Sequence, residues 1–160
     1  MKFNLQDKEF SEHIRLSLLS VIVGLVAGLA SVLFKFMIHF FQDLFWSDSS
    51  IISAVQSQPL YVTLLIPAAG GLLISPLIYY GAKEAKGHGV PEIMESLIFR
   101  GAKIRNRVAA IKALASSICI GSGGSTGREG PIVQISASVA SSIGQLFRIK
   151  ERALRTLVAA

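Results

Sequence analysis

Apolar positions fall into long runs separated by short clusters of charge, and the lengths of those runs predict the elements. Leu16 to Phe34 is 19 residues without a charge, close to the roughly 20 apolar residues that a membrane-crossing helix needs. The run resumes after Lys35 through Phe36, Met37, Ile38, Phe40 and Phe41, so residues 14–41 are read as one span and residues 1–13 as a polar cytoplasmic lead-in. A secretory signal has a shorter apolar core followed by polar mature sequence, so cleavage is not expected. Gly24 and Gly28 form a GxxxG pair, a spacing that lets a second helix approach closely. Residues 42–59 carry Asp43, Asp48 and several serines but no Lys or Arg, and should face outward. Residues 60–82 form a second span of 23 uncharged residues, interrupted by Pro67, Gly70, Gly71 and Pro76, which predicts a kink.

The later segments are shorter. Residues 91–99 cannot cross a bilayer and are expected to form a re-entrant or buried helix. Residues 108–120 and 131–147 read as two helices flanking a glycine-rich turn. The basic clusters, at Lys83 and Lys86, then Arg100 to Arg107, then Arg148 to Arg155, all fall on one membrane face. Composition agrees: 51% of residues are hydrophobic and the mean hydropathy is +0.55, far above an ordinary soluble domain. The net charge of +6 would suggest nucleic acid in a soluble protein, but its clustering between apolar runs points to the positive-inside rule, and no nucleic-acid partner is expected. Cys119, the single cysteine, excludes an intramolecular disulfide, and His13, His39 and His88 are too scattered for a metal site. No cofactor is implied. The final residues, Thr156 to Ala160, look like the start of another apolar segment, so the chain reads as the N-terminal part of a larger protein or a truncated form. The expected class is an all-α, multi-pass integral membrane protein embedded in a lipid bilayer, in the cell membrane if the source is bacterial.

The chemistry concentrates in Gly121 to Pro131, reading GSGGSTGREGP. Pro131 suits the first turn of a helix, where its missing N–H costs nothing, and the run after it is uncharged. A helix start presents free N–H groups and the positive end of the helix dipole, which together attract an anion. Glu129 sits where that anion would bind. A first-turn Glu often only stabilises its helix, but at membrane depth a carboxylate is a functional candidate: it competes with the anion, and protonation releases it. Arg128 either pairs with a carboxylate or holds the backbone of the turn. Nucleotide readings fail on spacing. A Walker A loop needs Lys where Arg128 stands and Ser or Thr where Glu129 stands, and the dinucleotide fingerprint needs glycine at Thr126.

Gly87 to Glu92, GHGVPE, is a second glycine-flanked helix start, and two such starts can share one ion. His88 is either a solvated loop histidine or lines a pore. Lys112, four residues into an apolar helix, either snorkels to the interface or is a buried cation that raises the potential for anions.

These residues resemble the chloride channel and chloride/proton antiporter family, CLC. Gly127 to Pro131 matches the family's G-[KR]-E-G-P signature, Gly121, Gly123 and Gly124 fit its glycine-rich approach, GHGVPE resembles its earlier G-S-G-I-P motif, and Lys112 stands where members often carry Lys. The resemblance runs from the first span to Ala160. It implies a bundle of tilted, broken and re-entrant helices forming the first part of an inverted-repeat fold, usually a homodimer with one pore per subunit. It also implies transport of chloride or a similar monovalent anion, as a voltage-gated channel or in exchange for protons. Glu129 takes the place of the gating glutamate that also passes the proton. Gly127, Arg128 and Gly130 fall at the outer anion site, where the backbone N–H groups around Glu129 bind, and Gly87, His88 and Gly89 fall at the central one. His88 stands where most members have a Ser that touches the central anion; imidazole also donates a hydrogen bond, with a charge that depends on pH. The family's later anion-binding turn, pore tyrosine, internal proton-transfer glutamate and usual dimer interface would lie beyond Ala160. No paired nucleophile and base suggests an enzyme. The alternatives are a non-transporting membrane domain that packs against a partner through Gly24, Gly28 and the small residues from Ser136 to Ser142, and, more weakly, a soluble phosphate-binding domain.

Overall fold

The computed structural model describes residues 3–46, 58–81 and 89–159, with side chains from residue 14 onward. Gly87, His88, the basic pair Lys83 and Lys86, and most of the predicted outer loop lie outside the described residues. Among the described residues the chain is all helix: α1 (Phe3–Trp46), α2 (Leu60–Gly81), α3 (Val90–Phe99), α4 (Asn106–Gly121), α5 (Glu129–Leu146) and α6 (Glu151–Ala159).

Helices α1 and α2 are long and apolar enough to cross a membrane, over Ile14–Trp46 and Leu60–Gly81. At 1.5 Å per residue, α2 alone spans about 33 Å, roughly the thickness of a bilayer core. α1 runs through what the sequence divides into lead-in and span, since no proline interrupts it. It buries one stripe, Leu19, Val23, Ala27, Phe34 and Ile38, spaced at fours and a seven as one helical face requires. The other faces leave Leu25 71% and Leu29 72% exposed, a pattern that fits hydrocarbon and not water. Gly24 and Gly28 stand one residue off the buried stripe, about 100° around the helix, and a Cβ added to either would meet nothing within 4 Å. The GxxxG pair therefore makes no close helix contact among the described residues. α2 continues through Pro67 and Pro76 as one helix and buries only Gly70.

α4 and α5 form the inner layer. α1 packs across both, α2 lies on α4, α6 docks on α5, and α3 touches α5 and α6. Small residues bring these helices together. A side chain at Gly70 would collide with Ser122, one at Gly144 with Leu154, and one at Gly121 would stand 2.5 Å from Phe41 Cβ. Around these contacts Val23, Ile93, Ile104, Ala137, Ala140 and Leu157 form the main apolar cluster. α6 is amphipathic, burying Leu154, Leu157 and Val158 while Arg155 pairs with Glu151 at 2.7 Å on its outer face.

The interior is also polar. Ser117, Ser141 and Gln134 have no exposed surface, and Lys112 is 6% exposed. Ser141 Oγ donates to the Ala102 carbonyl at 2.8 Å and accepts from Ile104 N–H at 2.9 Å, which ties the loop after α3 to the middle of α5. Ser142 and Ser138 both donate to Asn106 Oδ1, joining α5 to the start of α4. The serine face of α5 is thus engaged within the chain.

Candidate functional site: two converging helix starts

The glycine-rich turn is built as a cap on α4. Ser122 N–H bonds Ile118 O at 2.9 Å, Gly124 N–H bonds Cys119 O at 2.8 Å, and Thr126 N–H bonds Gly124 O at 2.9 Å. Trp46, the last residue of α1, braces the turn: its Nε1 donates to Gly121 O at 3.1 Å. Gly123 has φ 89°, and a side chain there would press on the Trp46 ring at 3.2 Å. The positive φ calls for glycine, and the nearby ring leaves little room for a side chain.

α5 begins at Glu129 with Arg128 as N-cap, two residues earlier than the sequence places the helix start, and its first intrahelical bond runs from Ile132 N–H to Arg128 O at 3.1 Å. Pro131 lies in the first turn, where a helix has no acceptor to offer it anyway. The N–H groups of Glu129 and Gly130 are left without intrahelical acceptors for the same reason. Gly127, Arg128 and Glu129 are exposed. A Cβ at Gly127 would meet nothing within 4 Å, so this glycine leaves open space beside the helix start. Among the described residues neither Arg128 nor Glu129 forms an ion pair.

α3 supplies the second start. Gly89 is its N-cap, with φ 87° and no side-chain cap, and Pro91 stands in the first turn. Gly89 packs directly on the opening of α5: an added Cβ would lie 2.7 Å from Gln134 Oε1 and 3.3 Å from Gly130 O. The N-cap of one helix therefore packs against the first turn of another, far away in sequence, and each helix start carries the positive end of its dipole.

Behind this contact lies a polar cluster that sequence reasoning missed. Gln134 Nε2 donates to Glu92 Oε2 at 2.6 Å, and Lys112 on α4 feels the Glu92 charge. Lys112 is buried between helices and does not snorkel outward, and the Glu92 carboxylate on α3 offsets part of the cost of that burial. The signal for Gln134 was present as a polar residue inside the uncharged run after Pro131, one turn past Gly130. The partner 42 positions away was not visible. Between α3, α4 and α5 a cavity of about 910 Å³ has Glu92, Gln134 and Asn106 in its wall, together with the exposed basic residues Arg100, Lys103 and Arg105.

Apolar outer helices and a polar interior define an all-helical membrane protein. Residues 70–160 match the family described as "Voltage gated chloride channel", and the chain belongs to that family. It is 33% identical over 145 residues, 88% of its length, to an H(+)/Cl(-) exchange transporter ClcA of Vibrio vulnificus strain YJ016. It is 34% identical over 137 residues, 83% of its length, to the protein of that name from Vibrio campbellii, and 29% identical over 130 residues, 79% of its length, to a ClcB-like protein of Ralstonia nicotianae. The chain spans 30%, 28% and 30% of those relatives, respectively. No solved structure matches it significantly.

Proposed function

We propose that the protein moves chloride or a similar monovalent anion across the membrane, with Glu129 as a protonatable gate. The observation that carries this reading is the contact of Gly89, the α3 N-cap, with Gly130 in the first turn of α5. An anion beside these two helix starts would meet the free N–H groups around Arg128, Glu129 and Gly130, with Gly127 leaving room for it, and the family resemblance adds Gly87, His88 and Gly89 as the central anion site. The Glu129 carboxylate competes for the same N–H groups. Protonation neutralises it and lets the anion enter, so one side chain both gates and carries a proton. The Vibrio relatives are named H(+)/Cl(-) exchange transporters and the Ralstonia relative a chloride channel protein, so coupling to protons is the point that the flux measurement decides. Lys112 adds little to the attraction, since Glu92 offsets it. The working unit is a multi-pass homodimer. The engagement of Ser138 and Ser141 inside the chain counts against a partner-binding role for that face.

The test is proton and anion flux in liposomes, with the protein expressed from its full reading frame, comparing wild type and Glu129→Gln in chloride, nitrate and fluoride. Uphill proton movement driven by chloride, abolished in the variant while anion flux persists, is the expected result. Anion flux without proton movement in wild type would make the protein a channel. If the inserted wild type moves no anion, the transport reading fails.

A further inference from the structure

Gln134 is the side chain that the proposed function leaves unused. It has no exposed surface, and its Oε1 has no hydrogen-bond partner among the described residues. A buried amide oxygen without a donor is strongly disfavoured, and it marks a place for a donor that the surrounding side chains do not supply.

The orientation of the amide is determined by its other end. Nε2 donates to Glu92 Oε2 at 2.6 Å, and Lys112 faces the same carboxylate by charge. Turning the amide over would set its oxygen against a carboxylate oxygen. Oε1 is therefore held toward the α3 N-cap, within 2.7 Å of where a Gly89 Cβ would stand. This creates a conflict, because a carbonyl oxygen aimed at an anion site repels a bare anion. One water resolves it by donating one O–H to Oε1 and the other to the anion. A buried water of this kind needs two to four polar partners, of which Oε1 and the anion are two.

We propose that Gln134 is a specificity-determining residue that holds one hydration water on the anion at the α3 N-terminus. The site then favours anions that hold water tightly, such as chloride, over those that hold it weakly, such as thiocyanate. The proposal rests on the anion-transport reading and deepens it.

The test compares chloride and thiocyanate flux in liposomes for the wild-type full-length protein and Gln134→Met, which keeps the volume and removes the strong acceptor. The chloride-to-thiocyanate ratio should fall about tenfold in the variant, the scale of one lost hydrogen bond, while thiocyanate flux persists. Equal loss of both fluxes with an unchanged ratio would mean that Gln134 only packs α5 against α3, and would overturn the proposal. Should the variant fail to insert, a high-resolution structure of the wild-type protein with bromide decides. A water at roughly 2.8 Å from Oε1 and touching the bromide supports the proposal; an Oε1 bonded to a protein donor, or left dry, overturns it. Failure of the transport reading is separate, and shows as no flux of either anion in wild type.

Discussion

Helices α1 and α2 and helices α4 and α5 are built from much the same apolar alphabet, yet they resolve it in opposite ways. The outer pair turns Leu25, Leu29, Phe36 and Leu72 outward, whereas the inner pair buries Lys112, Ser116, Ser117, Gln134, Ser138 and Ser141. Water would demand the reverse. In hydrocarbon a leucine gains nothing by leaving lipid for protein, so helices associate through small residues, close backbone contact and hydrogen bonds. The difference teaches that polarity here marks the inside and bulk marks the outside.

That comparison can be broken most sharply at the buried charges. Lys112→Met leaves the half-buried Glu92 without a nearby opposite charge and should lower stability by up to about 3 kcal/mol, the upper range for coupled neighbours. Combining it with Glu92→Leu should recover most of the loss, as a double-mutant cycle of unfolding in detergent would register; strictly additive losses would mean the two groups do not act as a pair.

The outer surface is tested next by Leu29→Lys, which should weaken insertion of α1 by roughly 2.5–3.5 kcal/mol in a membrane-insertion assay. Unchanged insertion would show that this face does not meet lipid. A smaller effect is expected from Ser141→Ala, which strips the Ala102 carbonyl and the Ile104 N–H of their shared partner. The cost should be about 1–3 kcal/mol, with faster hydrogen exchange at Ile104 than at Val108; equal protection in the variant would place the loop's stability elsewhere. The smallest effect belongs to Gly24→Ala, whose new methyl meets nothing within 4 Å. Its unfolding free energy should rise by about 0.5–1 kcal/mol, the helix preference of Ala over Gly, seen as a slightly higher thermal midpoint, and a clear loss would reveal a packing partner on that face.

Much of the site was legible because its signals are local. Glycine density, Pro131 and the uncharged run after it predict the turn and the helix start, and α5 opens within two residues of that prediction. Gly89 likewise announced α3 through its proline neighbour. Lys112 illustrates the limit. Snorkelling was the natural reading of a cation near a helix end, yet Lys112 is buried, with the charge of Glu92, 20 positions earlier, acting on it from α3. Gly24 and Gly28 differ in that their local motif meets no second helix among the described residues.

What the sequence by itself determined is the inventory: where helices form, that they are apolar enough for a bilayer, and that two of them start at glycine-rich, proline-marked breaks. These follow from backbone preferences and from transfer energies that act over a few neighbouring residues. Only the tertiary structure decided which face of each helix turns inward, that Gly89 meets Gly130, and that Gln134, Glu92 and Lys112 form one cluster. A helix that is apolar on every side carries no marker of its inner face, so the choice falls to the shapes and hydrogen bonds of whatever packs against it.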